Sequence, residues 1–82
     1  MKILKFSASW CGPCKMLSNT VAAVKDHIPY PVEEIDIDEN TELAQKYGIR
    51  GVPTMIIVDG VREIKRKIGV MTPAELKAFV VV

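Results

Sequence analysis

Cysteine and histidine are scarce in this sequence, which has two cysteines and one histidine in 82 residues. A mononuclear metal site with four ligands of these types cannot be built within one chain. A zinc or iron–sulfur site shared by two chains would need a cysteine pair from each, and we regard it as the weaker interpretation. We therefore expect no bound metal, and His27 is expected to be an ordinary residue near a helix end.

An excess of charge of either sign is also missing, because the formal net charge is +1 at pH 7. Such a balance gives no electrostatic reason to expect nucleic acid or an anionic membrane as a partner. The most basic stretch, residues 62–67, has no aromatic side chains between its arginines and lysines. We expect it to be a solvated strand and predict no nucleic-acid partner.

Long apolar runs are absent as well, although 49% of the residues are hydrophobic. A membrane-spanning helix needs roughly 20 consecutive apolar residues, so no membrane segment is predicted. The first strand-like pattern begins at Lys2, which leaves no room for a signal segment. We interpret residues 1–82 as a single domain that is located in the cytoplasm. In that compartment a Cys-x-x-Cys pair indicates redox or metal chemistry rather than a structural disulfide.

Both cysteines stand in the segment Trp10-Cys11-Gly12-Pro13-Cys14-Lys15. A disulfide between them would close so short a loop that it would constrain the unfolded chain little, so a structural staple is a weak explanation. An apolar strand-like run precedes the segment and a helical pattern follows it. A thiol at a helix N-terminus meets exposed N–H groups and the positive end of the helix dipole, which favour the thiolate. The segment therefore predicts reactive thiol chemistry.

Hydrophobic periodicity predicts seven elements in the order βαβαββα. The strands are expected at residues 2–7, 32–37, 54–58 and 61–68. The first helix follows Cys11, with Leu17, Val21, Val24 and Ile28 on one face and Pro29 and Pro31 beyond its end. A short second helix is expected after Asn40 or Thr41, and a last helix begins with a capping box at residues 72–75.

A second segment, Gly48-Ile49-Arg50-Gly51-Val52-Pro53-Thr54, lies just before the third strand. Together with the Cys-Gly-Pro-Cys segment and the order of elements, it resembles the thioredoxin family over nearly the whole chain. The resemblance implies an α/β thioredoxin-like fold: a four-stranded mixed sheet flanked by three helices, with Pro53 in a cis peptide bond opposite the cysteines. The first strand and helix of full-length thioredoxins are expected to be missing, as in the core that glutaredoxins share.

The resemblance also implies a dithiol–disulfide oxidoreductase that reduces protein disulfides. Cys11 would attack the client disulfide, and Cys14 would resolve the mixed disulfide and leave the Cys11–Cys14 pair oxidised. Cys11 is expected to be partly exposed and Cys14 to be shielded. The implied partners are disulfide-containing proteins and thioredoxin reductase or a similar reductant, with no other cofactor, and a monomer is expected.

A substrate groove follows from the same resemblance. Trp10, Gly12 and Pro13 would line it on the side of the cysteines, the backbone of Gly51, Val52 and Pro53 would form the opposite wall, and Gly69 would lie at its far edge. Contacts of this kind are mainly apolar or to backbone, so broad client specificity is expected.

One pair of positions departs from the family pattern. Thioredoxins usually carry a buried aspartate in the strand before the motif and a lysine on the neighbouring strand, whereas this chain has Lys5 and Glu34. Our hypothesis is that Lys5 and Glu34 pair beneath Cys14 and handle its proton. The alternative is that Lys5 extends to solvent and the exchange needs no dedicated base.

Two other functions stay open from the sequence. A glutaredoxin-like protein recharged by glutathione would suit the short length, although Trp10 and the Gly-Pro dipeptide favour thioredoxin. A binding or assembly module with incidental redox chemistry is the alternative from a different class. The acidic residues around the second strand, Asp38 among them, are interpreted as charges that discourage pairing at an exposed sheet edge, and a docking face for a basic partner is the less favoured alternative.

Overall fold

The computed structural model describes residues Met1–Val82 and contains the predicted four strands and three α-helices. The strands are β1 (Lys2–Ser7), β2 (Val32–Asp36), β3 (Thr54–Asp59) and β4 (Arg62–Ile68). The helices are α1 (Gly12–Ala23), α2 (Thr41–Lys46) and α3 (Pro73–Phe79), and a 3₁₀ turn, Lys25–His27, follows α1. None of the helices is long and apolar enough to cross a membrane.

The four strands form one mixed sheet in the order β2-β1-β3-β4. β1 pairs with β2 in parallel and with β3 antiparallel, and β3 pairs antiparallel with β4. The expected thioredoxin-like architecture is therefore confirmed. Because β1 and β2 are parallel, the segments that follow their carboxyl ends lie at the same edge of the sheet, and the cysteine motif is one of these segments.

The alternation of side chains along β1 divides the core between the two faces of the sheet. Ile3 packs with α1 and α3 in a buried cluster that includes Leu17 and Leu76. Leu4 and Phe6 point the other way, into a second cluster that Tyr47 and other residues of the α2 region cover. The sheet thus lies between two helices on one face and one helix on the other. Lys5 and Ser7 share the α1 face with Ile3.

The first helix is shorter than its apolar pattern predicts. The α-helix ends at Ala23, and Val24 caps it with a φ of −116° before the single 3₁₀ turn. The turn still brings Val24 and Ile28 to the core cluster beneath α1, so the predicted apolar face is present although its last residues are not α-helical. At α2, Asn40 is the N-cap residue but its side chain makes no capping hydrogen bond.

The start of α3 carries the predicted capping box. Thr72 Oγ1 accepts a hydrogen bond from the backbone N–H of Glu75 at 3.1 Å, and Glu75 Oε1 accepts one from the Thr72 N–H at 2.9 Å. The hydrogen bond from the Thr72 backbone is the main cause that lowers the pKa of Glu75, helped by the Thr72 side chain.

We expect Thr72→Ala to lower the free energy of unfolding by about 1 kcal/mol, the usual cost of losing an N-cap side chain. Because the pKa of Glu75 is lowered in the fold, its contribution is present above its unfolded-state pKa and is lost as the pH falls through the folded value. Thr72→Ala keeps the backbone N–H that bonds Glu75 and removes only the hydroxyl, so the difference between wild type and variant should shrink in acid by the smaller share that the side chain contributes. Urea unfolding at neutral and acidic pH measures it, with Thr41→Ala as control, and an equal loss in both variants would contradict the role of the cap.

Candidate active site

The two cysteines form a disulfide at the start of α1. Their Cα atoms are 5.3 Å apart, and Cys11 is the N-cap residue of the helix. The backbone N–H of Cys14 donates to Cys11 Sγ at 3.1 Å, and Pro13 occupies the first turn, where its missing N–H costs nothing. In the reduced pair this N–H and the helix dipole would favour a thiolate on Cys11, and the first turn holds no acidic residue to oppose it.

Both cysteines are buried, with exposed fractions of 4% for Cys11 and 3% for Cys14. The expected greater exposure of Cys11 is therefore wrong for this disulfide state. The reason is packing: the pair forms a small apolar cluster with Ala8, and Val52 covers it from the opposite loop. What distinguishes the two sulfurs is their surroundings, because Cys11 accepts the helix N–H whereas Cys14 lines a polar cavity.

The loop before β3 forms the wall that faces the cysteines. Val52 packs against the cysteine cluster, and the Val52–Pro53 peptide bond is cis. The carbonyl of Pro53 accepts a hydrogen bond from the Gly69 N–H at 2.8 Å, which holds Gly69 beside this wall. Thr54 Oγ1 donates to the Gly51 carbonyl at 2.7 Å. The structure therefore brings the predicted residues of both walls to one place.

Exposed apolar side chains lie near the cysteines and the loop that faces them. Trp10 is 68% exposed, and Met16, Ile68 and Val70 are also among the exposed large hydrophobic residues. Met16 follows the cysteines on α1, and the other two stand on either side of Gly69. Large exposed apolar residues close to a reactive pair are typical of a surface that contacts another protein chain.

Trp10 is held by a residue that the sequence interpretation missed. Its Nε1–H donates to Asp38 Oδ2 at 2.9 Å, and the Asp38 N–H in turn donates to Asp36 Oδ1 at 2.8 Å. Asp38 was expected only as one charge of an acidic strand edge. The signal for its role was available, since β1 and β2 are parallel and the residues just beyond their carboxyl ends must lie close together.

Lys5 and Glu34 are paired, as the hypothesis requires. They occupy the same register position on β1 and β2, and Lys5 Nζ lies 3.2 Å from Glu34 Oε1. Lys5 is only 3% exposed and does not extend to solvent, whereas the Glu34 side chain is 64% exposed. The ammonium also donates to Ser18 Oγ, and the Ser7 hydroxyl donates to Glu34 Oε1 at 3.2 Å. Sequence reasoning singled out neither serine.

No group of three or more His, Cys, Asp or Glu side chains is placed to hold a metal ion. The site consists of the disulfide and its surroundings, which are a helix N-terminus, a covering apolar loop and an ion pair whose ammonium is buried. A disulfide at the start of the helix that follows the first strand of such a mixed sheet, with helices on both faces, defines a thiol–disulfide oxidoreductase with a thioredoxin fold.

Comparison with known proteins gives the family. The thioredoxin family profile matches residues 1–81. Thioredoxin from Chlamydia muridarum is 35% identical over 68 residues, which are 82% of this chain and 67% of that protein. Thioredoxin from Acidithiobacillus ferridurans is 34% identical over 79 residues, 94% of this chain and 73% of that protein.

The structure of a mutant thioredoxin from Halobacterium salinarum superposes with a TM-score of 0.85 at 36% identity. The match covers 95% of this chain and 69% of that one. The chain belongs to the thioredoxin family, and it spans about two thirds of the length of the first curated relatives, 66% to 67%. Family membership implies disulfide substrates and a reductant such as thioredoxin reductase.

Proposed function

We propose that residues 1–82 act as one domain that reduces protein disulfides, with Cys11 as nucleophile and Cys14 as resolving thiol. The observation that carries the proposal is the position of Cys11 Sγ at the N-cap of α1, where it accepts the Cys14 N–H. The thiolate of Cys11 attacks one sulfur of the client disulfide, and the other client sulfur leaves as a thiolate. Cys14 then attacks Cys11 Sγ, which releases the second client sulfur. The client gains two electrons and two protons, and the Cys11–Cys14 disulfide forms.

The client chain is proposed to lie in the groove between Trp10 and the loop that carries Val52 and Pro53. The apolar rim and the backbone of Gly51 and Gly69 offer contacts that do not depend on one client sequence. Gly12 and Pro13, both exposed at the start of α1, leave the approach to the cysteines free of bulky side chains. Broad client specificity follows from these contacts.

The oxidised pair is proposed to be recharged by thioredoxin reductase, and the chain to act as a monomer without another cofactor. A reducing compartment such as the cytoplasm would keep the pair in its dithiol form. Lys5 and Glu34 are proposed to handle the proton of Cys14, because they form a charged pair on the sheet directly under α1. Support for a family reductant comes from the thioredoxin relatives rather than from any contact in this structure.

A coupled assay tests the proposal. Insulin disulfide reduction would be followed with NADPH and thioredoxin reductase as one electron source and with glutathione and its reductase as the other. We expect turnover with the first source and little with the second. Reduction only with glutathione would favour the glutaredoxin-like alternative and contradict the proposed recharging step.

A further inference from the structure

Arg66 on β4 makes contacts that a solvated basic strand does not require. Its side chain is 28% exposed, and its guanidinium forms two hydrogen bonds with Glu63. Arg66 Nε donates to Glu63 Oε2 at 2.8 Å, and Nη2 donates to Oε1 at 2.7 Å. Their hydrogen bonding is the main cause that raises the pKa of Arg66 and lowers the pKa of Glu63. A bidentate pair of this kind fixes the plane of the guanidinium.

The guanidinium fixed in this way reaches the end of α2. Arg66 lies opposite Ile56 in the register of β3 and β4, on the face of the sheet that α2 covers. Its Nη2 donates to the Tyr47 carbonyl at 2.6 Å. Tyr47 is the C-cap residue of α2, and the carbonyls at a helix C-terminus lack intrahelical donors and carry the negative end of the helix dipole. Arg66 therefore supplies this helix end with both a donor and a favourable charge.

Tyr47 is also the residue from which the chain enters the loop that faces the cysteines. Gly48 follows with a φ of 63°, and the N–H groups of Gly48 and Ile49 bond back into α2 at 3.0 and 2.9 Å, as in a Schellman motif. Residues 48–52, which we call the covering loop, then lead to Val52, whose side chain packs against the disulfide cluster. The position of the Tyr47 carbonyl thus sets where the covering loop begins.

The far end of the covering loop is held by the same strand. Gly69, directly after β4, donates its N–H to the Pro53 carbonyl at 2.8 Å. Among side chains, only Thr54 and Arg66 donate to the backbone of residues 47–53, and Thr54 is the next residue of the chain itself. Arg66 is therefore the one side chain from another element that holds this backbone. One short stretch, residues 66–69, links the loop to β4 at its entry and at its exit.

We propose that Arg66 is a positioning residue of the client groove, which acts through Tyr47 to hold the covering loop at its distance from the disulfide. With Arg66 in place, Val52 lies on the cysteine cluster and the backbone of Gly51 stands where a client chain can meet it. Without Arg66, the Tyr47 carbonyl has no partner on β4, and the covering loop is free to move away from the disulfide. The inference rests on the proposed function, because it concerns the groove in which the client binds.

Arg66→Met is expected to change two rates in opposite directions. In single turnovers of the pre-reduced chain with insulin, the half-saturating insulin concentration should rise about fivefold, because a charged hydrogen bond that holds the groove is lost. The limiting rate should change by less than about twofold, because the loop binds the client equally before and during the exchange. Reduction of the disulfide by a small phosphine needs no groove and should become about threefold faster, because Val52 protects the sulfurs less. Alkylation and mass spectrometry count the reduced chains in both experiments.

Three further variants show whether the hydrogen bond, its orientation or the charge is responsible. Arg66→Lys keeps the charge and a donor without the planar fork, so the half-saturating concentration should rise only about twofold. Glu63→Gln leaves the donor to Tyr47 and removes the ion pair that orients it, so both rates should shift in the same directions as in Arg66→Met, by less. Arg62→Met removes an equal charge from the exposed start of the same strand and is the matched control, with both rates unchanged.

A merely structural role for Arg66 would give a different pattern. It would lower the free energy of unfolding, measured in urea for every variant, and leave both rates of the folded chains as in wild type; that result would overturn the inference. An equal loss of client affinity in Arg62→Met would also overturn it, because the client would then respond to charge and not to the loop. If Arg66→Met does not fold, Glu63→Gln decides, and wild-type values of both rates in that variant would contradict the positioning role.

The positioning role and the proposed function fail in different ways. A wild-type chain that does not reduce insulin would contradict the proposed function, whatever the rate with the phosphine. A wild-type chain that reduces insulin, with the same half-saturating concentration and phosphine rate as Arg66→Met, would contradict only the role of Arg66.

Discussion

Cys11→Ser is expected to abolish disulfide reduction, with a fall in rate on the order of a thousandfold or more, because the variant has no nucleophile for the first step. Cys14 cannot replace it. Cys14 lines the polar cavity beside Ser18 and Glu34, and the N–H at the helix start donates to Cys11 Sγ rather than to Cys14. Insulin reduction with dithiothreitol as electron source measures the loss without depending on a particular reductase.

Cys14→Ser is the matched variant, because it removes one sulfur from the same disulfide and changes the fold equally little. It should keep the first attack and stop at the mixed disulfide, so that nearly every chain carries a client after one turnover. A Cys11→Ser variant that still captures clients covalently would reverse the assignment of the two thiols. A double variant that keeps its activity in the native process would instead favour the binding-module alternative.

The parts of the site that could be predicted are those with local signals. The Cys-Gly-Pro-Cys segment has its own turn chemistry, and the strand before it is a short apolar run that only Lys5 interrupts. The capping box at Thr72 needs only residues within one helical turn. Such features depend on neighbours in sequence, and the structure contains each of them where the pattern predicts it.

The parts that could not be predicted depend on contacts between distant elements. The hydrogen bond from Trp10 to Asp38 requires the parallel pairing of β1 and β2, and the bond from Lys5 to Ser18 requires the rotation of α1 on the sheet. The burial of Cys11 depends on how closely Val52 approaches from another loop. Pattern and propensity do not determine these distances, because a shift of one residue in register would change every partner.

The helix α1 also shows, within a single element, what the sequence pattern does not determine. Its apolar face continues to Ile28, and the spacing alone predicts one uninterrupted helix. Val24 and Ile28 instead pack into the core from either side of a 3₁₀ turn, since the chain must tighten before Pro29 and Pro31 and return to β2. The apolar pattern thus predicts which residues are buried more reliably than it predicts the backbone that buries them.

Phe6→Ala is expected to be the most destabilising single change in the chain, costing about 3–5 kcal/mol of unfolding free energy. Phe6 is completely buried near the carboxyl end of β1, and its ring centroid lies 5.7 Å from that of Tyr47. It is the largest side chain in the cluster between the sheet and α2. Truncation leaves a cavity that the strands on both sides cannot fill. Urea unfolding measures the loss, and Val61→Ala, at a 91% exposed position, should stay within about 0.5 kcal/mol of wild type.

The effect of Phe6→Ala on disulfide reduction depends on how stable so small a domain is. Native domains are stable by about 5–15 kcal/mol, and one of 82 residues lies toward the lower end, so Phe6→Ala should be largely unfolded near physiological temperature. The chains that stay folded at low temperature should still reduce disulfides, because Phe6 points away from the face that carries Lys5 and Ser7. A loss of activity without a loss of stability would show that the α2 layer contacts clients directly. If Phe6→Ala lowers the free energy of unfolding by less than about 1 kcal/mol, the side chains around α2 contribute little to the stability of the fold. The sheet edge at which Asp38 meets Trp10 would then have to be stabilised by other contacts.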